Sequence, residues 1–510
     1  MKREETSGIS DTVWLATSKS LKFSPLRKNI SVDVVIIGGG ISGMTIAYML
    51  ANSGKKVAVV EDGWLGSGET GRTTAHISYQ LDMDYSELIK IHGKEKAKIV
   101  AESHKQAIDT IESIVKKEGI DCDFERLDGY FSGNRKDLKN ELKAMHSLGF
   151  HEVRPVNSPI NSAKKSCLLF PWQAQFHVIK YIKGLANAFI KNKGQIFTGT
   201  HAEKIDENGI QTEKGFKIKA RHVVVATNAP VNENSLYMKQ AAYRTYVLAA
   251  LIPKNSVSRI LLWDTEIRPY RYIRIKDYNE SSDILIAGGE DHRTGQKNDG
   301  RKRYLALETF ARKLFPMIKK ITFRWSGQVL ESNDGLAFIG RNPGAENIYV
   351  ATGESGNGMT YSVIAGILIS DLIFGRKNPW EEIYNPGRKS VFMTKRFFQE
   401  TVKTAEQYID WLKIENVYPK MKKNEGTILQ AGLKKIAAYK DRKGKMHLHS
   451  AVCPHRGCIV QWNDSEKSFD CPCHGSRFTA EGYVVNGPAN KGLSKWKEES
   501  KEWKEKGKDR

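Results

Sequence analysis

Two short runs near the C-terminus set the tightest limit on what this chain folds into: Cys453-Pro-His455-Arg-Gly-Cys458 and Cys471-Pro-Cys473-His474-Gly-Ser476. Each offers a thiolate and an imidazole two or three positions apart, and each adds a second cysteine. Two cysteines on one iron and two histidines on the other are the donors that one kind of [2Fe–2S] cluster needs. A structural zinc ion also takes a Cys₂His₂ set. Zinc leaves the additional cysteine pair and the Gly487-Pro488-Ala489 turn without a role.

The segment from Glu425 to Leu493 resembles a Rieske domain of the kind found in respiratory cytochrome bc complexes. The resemblance implies that Cys453, His455, Cys471 and His474 hold a Rieske [2Fe–2S] cluster and that Cys458 and Cys473 form a disulfide between the two loops. It also implies that Gly487-Pro488-Ala489 is the proline loop that covers the cluster. Ser476 stands where the family's hydroxyl donates to a bridging sulfide. Phe478 stands where the family has a tyrosine that donates to a ligand sulfur. One hydrogen bond fewer disfavours the more negative reduced state, so a potential below that of the respiratory proteins is expected.

A second signal lies near the other end. Ser31–Ile37 is an apolar strand followed at once by Gly38, Gly40 and Gly43 in G-x-G-x-x-G spacing. A helix over Met44–Ser53 aims its N-terminus at a pyrophosphate, and a second strand, Lys56–Val60, ends in Glu61, where an acid holds ribose hydroxyls. Strand, helix, strand and acid together identify a dinucleotide site. Two distant segments are similar to those of the D-amino-acid/glycine oxidase family. Val223-Val-Val-Ala-Thr227-Asn228-Ala229 resembles the strand that closes its FAD domain. Thr352-Gly353-Glu-Ser-Gly356-Asn-Gly358-Met359-Thr360 resembles its late FAD-binding loop, which opens a helix. Gly66–Ser78, containing Arg72, Thr73 and His76, matches the family's segment running past the flavin. The likeness covers Ser31 to Gly375 and implies FAD as the dinucleotide. The other G-x-G-x-x-G, Gly66-Ser-Gly68-Glu-Thr-Gly71, does not directly follow an apolar strand, which argues against a built-in NAD(P)H site.

That family oxidises C–N bonds of amines and amino acids, so an amine-type substrate is expected. Its amino-acid oxidases clamp the substrate carboxylate with an arginine just before an Asp-Gly pair. Here the run is Trp325-Ser-Gly-Gln328-Val329-Leu330, ahead of Asp334-Gly335, and Val329 holds the arginine's place. Either Arg274 or Arg271, on the strand Tyr270–Arg274, replaces the clamp, or the substrate lacks that carboxylate. His76 is expected as a non-covalent contact beneath the flavin. His146 and His151 lack the aspartate of an oxygenase iron site and are read as coincidence. Flavin with a one-electron cluster in one chain implies substrate oxidation at FAD and single-electron exit to an external carrier. Reverse flow, from carrier through cluster to FAD, and a non-catalytic redox sensor are the alternatives.

The 510 residues suit several domains. Residues 1–30 read as an irregular arm and 31–385 as the FAD-dependent oxidoreductase. Its FAD-binding pieces fall at about 31–78, 171–230 and 325–375, with a substrate domain from the intervening segments. Residues 386–424 read as a helical linker, 425–493 as the Rieske domain and 494–510 as a charged tail. The expected fold class is an α/β, Rossmann-type FAD-binding domain with an α+β substrate domain and a C-terminal all-β Rieske domain. Helices are expected at Tyr85–Glu118 and Arg388–Leu412, strands at Tyr243–Ile252, Tyr270–Lys276 and Ile284–Gly289. The net charge of +22 is spread along the chain without a nucleic-acid-binding motif. It points to an acidic one-electron carrier, or to peripheral contact with anionic lipid. No apolar run reaches the ~18 residues that span a bilayer, and no apolar leader opens the chain, so a cytoplasmic protein is expected.

Overall fold

Strand Ile30–Ile37 is buried on both faces from Val34 onward, and this places it at the centre of a parallel sheet. Val57–Val60 pairs with it on one side and Lys217–Val225 on the other. Gln195–Phe197 extends the first flank; Ile348–Thr352 and the antiparallel Phe338–Arg341 extend the second. Helix Ile41–Asn52 is buried on nearly every side, because Gly358–Ile373 and Val178–Lys191 pack against it. The computed structural model describes residues 7–19, 21–160, 166–231, 236–265, 270–408 and 421–496. Among these, no helix is long and apolar enough to cross a membrane.

A second, nine-stranded sheet draws most of its strands from the segments expected to form the substrate domain. Its long strands Gln240–Pro253 and Ser282–Arg293 contain and overrun two of the strands expected from sequence, and Arg271–Asn279 begins one residue later than the third and runs three residues further. Lys320–Ser332, His76–Ile77 and Ser166–Gln175 also belong to it, so the expected FAD-binding pieces cross between the sheets. The helix expected over Tyr85–Glu118 is two, Tyr85–His92 and Lys94–Glu118, parted by Gly93 at a φ of +84°.

The C-terminal region is all antiparallel. Glu425–Ala431, Lys434–Lys440 and Met446–Ser450 form one sheet. Gln461–Asn463, Ser468–Asp470, Arg477–Thr479 and Val484–Asn486 form another. Lys495 still bridges His449, so the ordered domain runs past Leu493. The linker helix starts later than expected, at Lys395, with Thr394 as its N-cap. Arg388 is pulled back onto the oxidoreductase, its guanidinium gripping both oxygens of Asp334 at 2.8 and 2.7 Å. The helix is described as far as Glu406, and the rest of its expected span includes residues outside the described set.

The N-terminal arm is not a loose one. It contains a short helix, Val13–Thr17, and Trp14 is fully buried with its indole N–H on Thr73 O at 2.7 Å. It also reaches the C-terminal domain, since the Ile9 N–H and the Ser10 hydroxyl both donate to Glu466, at 2.9 and 3.0 Å. Glu466 is completely buried between the domains. Ser326 donates to it at 2.5 Å, Arg72 stands at 3.4 Å and Arg244 at 3.6 Å. Burial opposes ionisation of this carboxyl, but the charges of Arg72, Arg244 and Arg477 outweigh it and hold it below the usual carboxylate range. This group supports the docked state above its unfolded pKa, and the support is lost as pH falls through the depressed folded value. Glu466→Ala strands two guanidinium groups and is expected to cost about 3–5 kcal/mol. A lower urea midpoint for loss of interdomain contact checks this; an unchanged midpoint would show that the carboxylate does not clamp the domains.

Candidate active site and cluster site

A cavity of about 300 Å³ opens at the end of strand Ile30–Ile37 and runs to the substrate sheet. Gly38 turns with a φ of +108°, and a Cβ there would lie 2.3 Å from Ala226 O. A Cβ at Gly43 would lie 1.9 Å from Gly38 O, so only glycine lets helix Ile41–Asn52 start so close to the strand. Glu61 accepts the N–H groups of Gly39 at 2.6 Å and Gly63 at 2.9 Å; burial, with Asp62 beside it, pushes its carboxyl up to about 7. Across the cavity the loop Ser355–Asn357 opens helix Gly358–Ile373. Glu354 accepts from the Ser42 hydroxyl at 2.6 Å and ties this loop to the first helix.

The far end is lined by His76, Trp263, Tyr270, Tyr272, Thr245, Asp82 and Asp291. The rings form a continuous wall: His76 lies 5.4 Å from Trp263 and 5.6 Å from Tyr272, and Tyr270 lies 5.9 Å from Tyr272. Burial pushes the Asp82 carboxyl up to about 7, against a hydrogen bond from Tyr270, and Asp291 adds to the rise. Burial likewise raises Asp291 to about 6. Burial and the Arg274 charge depress His76 to about 3, which keeps its imidazole neutral.

The cysteine loops lie against this domain. Each folds back on itself: Cys453 N–H donates to Cys458 O, and Cys471 N–H donates to Ser476 O. Cys458 and Cys473 are joined by a disulfide across the loops, with their Cα atoms 6.4 Å apart. The Cys471 sulfur lies within 4.8 Å of both bridged sulfurs, which are already committed to each other. The remaining buried thiols of the two loops are Cys453 and Cys471. The rings of His455 and His474 are 5.1 Å apart, and the buried Nε2 of His455 has no hydrogen-bond partner among the described residues. Two free thiols, two adjacent imidazoles and an orphaned ring nitrogen fit a [2Fe–2S] cluster.

The two histidines face inward. Tyr237 packs on both, at 4.6 Å from His455 and 6.2 Å from His474. His474 shares a small crevice with Ala229, Gln240, Ala242 and Leu330, and Leu330 also lines the large cavity. Gln328, another cavity residue, donates to Gly475 O at 2.9 Å. Asn486, Gly487, Ala489 and Asn490, from the proline loop, complete the cavity wall.

The family model described as FAD dependent oxidoreductase (DAO) matches residues 33–372, and the Rieske [2Fe-2S] domain model matches 411–497. The chain belongs to the DAO family. It is an FAD-dependent oxidoreductase that carries a Rieske [2Fe–2S] domain, and its cofactors are FAD and that cluster. The putative Rieske 2Fe-2S iron-sulfur protein YhfW of Bacillus subtilis is 32% identical to it, over 95% of this chain and 97% of that protein. Gamma-glutamylputrescine oxidoreductase of Escherichia coli is 26% identical, over 72% of this chain and 90% of that protein. Glycine oxidase from Geobacillus kaustophilus superposes with a TM-score of 0.58 at 20% identity, over 71% of this chain and all of that one, and shares the fold.

In this DAO-family chain the cavity fits FAD: a glycine turn and helix N-terminus stand at one end and a second helix N-terminus at the other. Of the residues expected to bind it, Gly38, Gly40, Glu61, Arg72, Thr73, Thr227, Gly356, Gly358 and Met359 line the cavity. Gly43, Gly353 and Thr360 do not. Gly43 packs strand on helix, Gly353 packs on Phe338, and Thr360 bonds His104. Arg72 reaches the cavity wall, but its guanidinium is spent on Ser10, Ser326 O and Glu466. Neither Arg274 nor Arg271, the two candidates for a replacement clamp, lines the cavity, which leaves the other alternative, a substrate without that carboxylate. Arg274 is fully buried, and its donors go to Gln175 and the carbonyls of Thr74, Ala75 and Phe176. Arg271 is paired with Glu290 at 2.6 Å. His76 does line the cavity.

Asp82, Asp291, Tyr237 and the proline-loop residues on the flavin side were not expected as site residues. No spacing rule marks a lone aspartate that only the fold turns inward. Phe478 is fully buried among the cluster cysteines. Phe478→Tyr is expected to raise the cluster's reduction potential in a spectroscopic titration; no rise would sink the hydrogen-bond account.

Proposed function

We propose that this protein oxidises an amine at FAD and passes the electrons singly, through the Rieske cluster, to an external one-electron carrier. The observation that carries the reading is the shared wall: Leu330 and Gln328 touch both the FAD cavity and the loop holding His474. Bound FAD supplies a hydride acceptor and the cluster a one-electron relay. Asp82 receives the ammonium proton; it lines the cavity and lies against the helix-opening loop, where a Cβ on Gly356 would meet its Oδ2 at 2.2 Å. The amine then loses a hydride from its α-carbon, and the resulting iminium is hydrolysed by water to a carbonyl compound and the released amine. The aromatic wall keeps water from the reacting carbon during hydride loss, and hydrolysis follows once the iminium leaves that wall. Gly38, Gly40 and the N-terminus of helix Ile41–Asn52 hold the pyrophosphate, and Glu61 the ribose.

The proposed cluster ligands are Cys453, His455, Cys471 and His474. Exit to the carrier is assigned to the His455 loop, where Pro454 and Arg456 are exposed. A basic residue there, on a chain of net charge +22, suits an acidic partner.

The test is anaerobic mixing with a panel of amines and amino acids, γ-glutamylputrescine included, read by visible absorption. Flavin bleaching followed by cluster bleaching supports the reading. If no amine bleaches either cofactor while dithionite reduces both, it fails. Asp82 is faced by Tyr270, Asp291, Asp84 and Arg396, and its carboxyl titrates at about 7. The limiting bleaching rate should therefore rise as pH passes about 7, when Asp82 becomes able to take a proton. Asp82→Asn is expected to remove that step and to slow the reaction about 10²–10⁴-fold.

A further inference from the structure

Resting on that amine-oxidation reading, we infer that the substrate is a diamine or longer polyamine, with two ammonium centres a few methylenes apart and no carboxylate. The far end of the cavity is lined by two carboxylates and by no lysine or arginine; Arg396 acts on Asp82 and Arg303 on Asp291 only from outside the lining. Among the described residues, the only guanidinium lining the cavity is that of Arg72, which is committed to Glu466, and no lysine lines it. Neither Asp82 nor Asp291 has an ion-pair partner among the described residues. A buried oxygen of Asp291, Oδ1, has no hydrogen-bond partner among the described residues. Val329 lines the same cavity with an apolar side chain. A substrate carboxylate placed here would meet two like charges and no fork of donors.

The carboxylates are set at two stations. Asp82 accepts from Tyr270 and abuts the loop that opens helix Gly358–Ile373. Asp291 is held by Thr245, whose hydroxyl lies 3.2 Å from that of Tyr272. The two tyrosine rings stand side by side between the stations, 5.9 Å apart, with His76 and Trp263 extending the wall. This suits a short alkyl chain carrying a cation at each end: methylenes lie along the rings, and ammonium groups gain from both the carboxylates and the ring faces. His76 stays neutral and adds no repulsion. The division of labour follows from position. Asp82, beside the helix-opening loop, takes the proton of the reacting nitrogen, and Asp291 anchors the distal ammonium, which keeps its charge throughout. No atom is transferred at the distal end.

The test uses the full-length protein with both cofactors and follows anaerobic flavin bleaching against concentration, which separates the dissociation constant from the limiting rate. The probes are 1,4-diaminobutane, 1,5-diaminopentane, n-butylamine, glycine and N-methylglycine. The diamines are expected to bind about tenfold or more tighter than n-butylamine, and the amino acids not to saturate. Asp291→Asn should erase the diamine advantage, bringing the diamine constants to that of n-butylamine. Equal constants for diamine and monoamine, preferential binding of the amino acids, or an unchanged diamine constant in Asp291→Asn would overturn the inference and leave amine oxidation standing. Failure of every compound to bleach flavin would overturn amine oxidation itself, and this inference with it. Should Asp291→Asn not fold, Asp291→Glu, which keeps the charge but lengthens the reach, is expected to shift the preferred diamine to a shorter chain; an unshifted preference counts against the inference.

Discussion

An ionised carboxylate inside a protein is tolerable only if donors surround it, and Glu466 collects its donors from four separate parts of the chain. The N-terminal arm supplies a backbone N–H and a hydroxyl, the segment beside the flavin cavity supplies Arg72, and the substrate sheet supplies Arg244 and Ser326. Arg477, paired with Asp470 at 3.0 Å, supports the same carboxylate from the Rieske side. Each group satisfies the carboxylate only with both domains in place, so the charge penalises any looser arrangement.

Docking and cavity construction thereby become one event. Arg72, which clamps Glu466, belongs to the same short segment as Thr73, Thr74 and His76, which line the cavity. The segment's carbonyls are held by two indoles, Trp325 on Arg72 O at 2.8 Å and Trp14 on Thr73 O. Arg274 holds the next two carbonyls from beneath. A guanidinium that binds backbone is rigid, and it fixes the wall against which flavin and substrate are placed. The same docking presses the histidine edge of the cluster loops onto Tyr237 and brings the proline loop into the cavity wall. A Rieske fold in this position serves as part of the cavity wall.

Much of the site was legible in short motifs, for physical reasons that do not depend on the rest of the chain. Gly43 is demanded by its contact with Gly38 O, five residues back, and Gly38 by its own positive-φ turn. Cys453, His455, Cys471 and His474 are spaced so that two tight loops present paired donors. The arginines were misjudged because charge and strand position do not say which way a long side chain is drawn. Arg274 was taken by carbonyls and Arg271 by Glu290, and both partners come from distant parts of the sequence. The arm at residues 7–19 gave no periodic signal, yet its Trp14 is fully buried.

Local chemistry thus determined the cofactors, the order of the two redox modules and the loops that hold each, because those features rest on turns and donor spacings a few residues long. Tertiary structure alone decided which edge of the cysteine–histidine loops meets the flavin domain, which arginines are structural, and that Asp82 and Asp291 line one cavity. These depend on burial, which sets whether a charge is screened by water or must find its partner elsewhere in the chain.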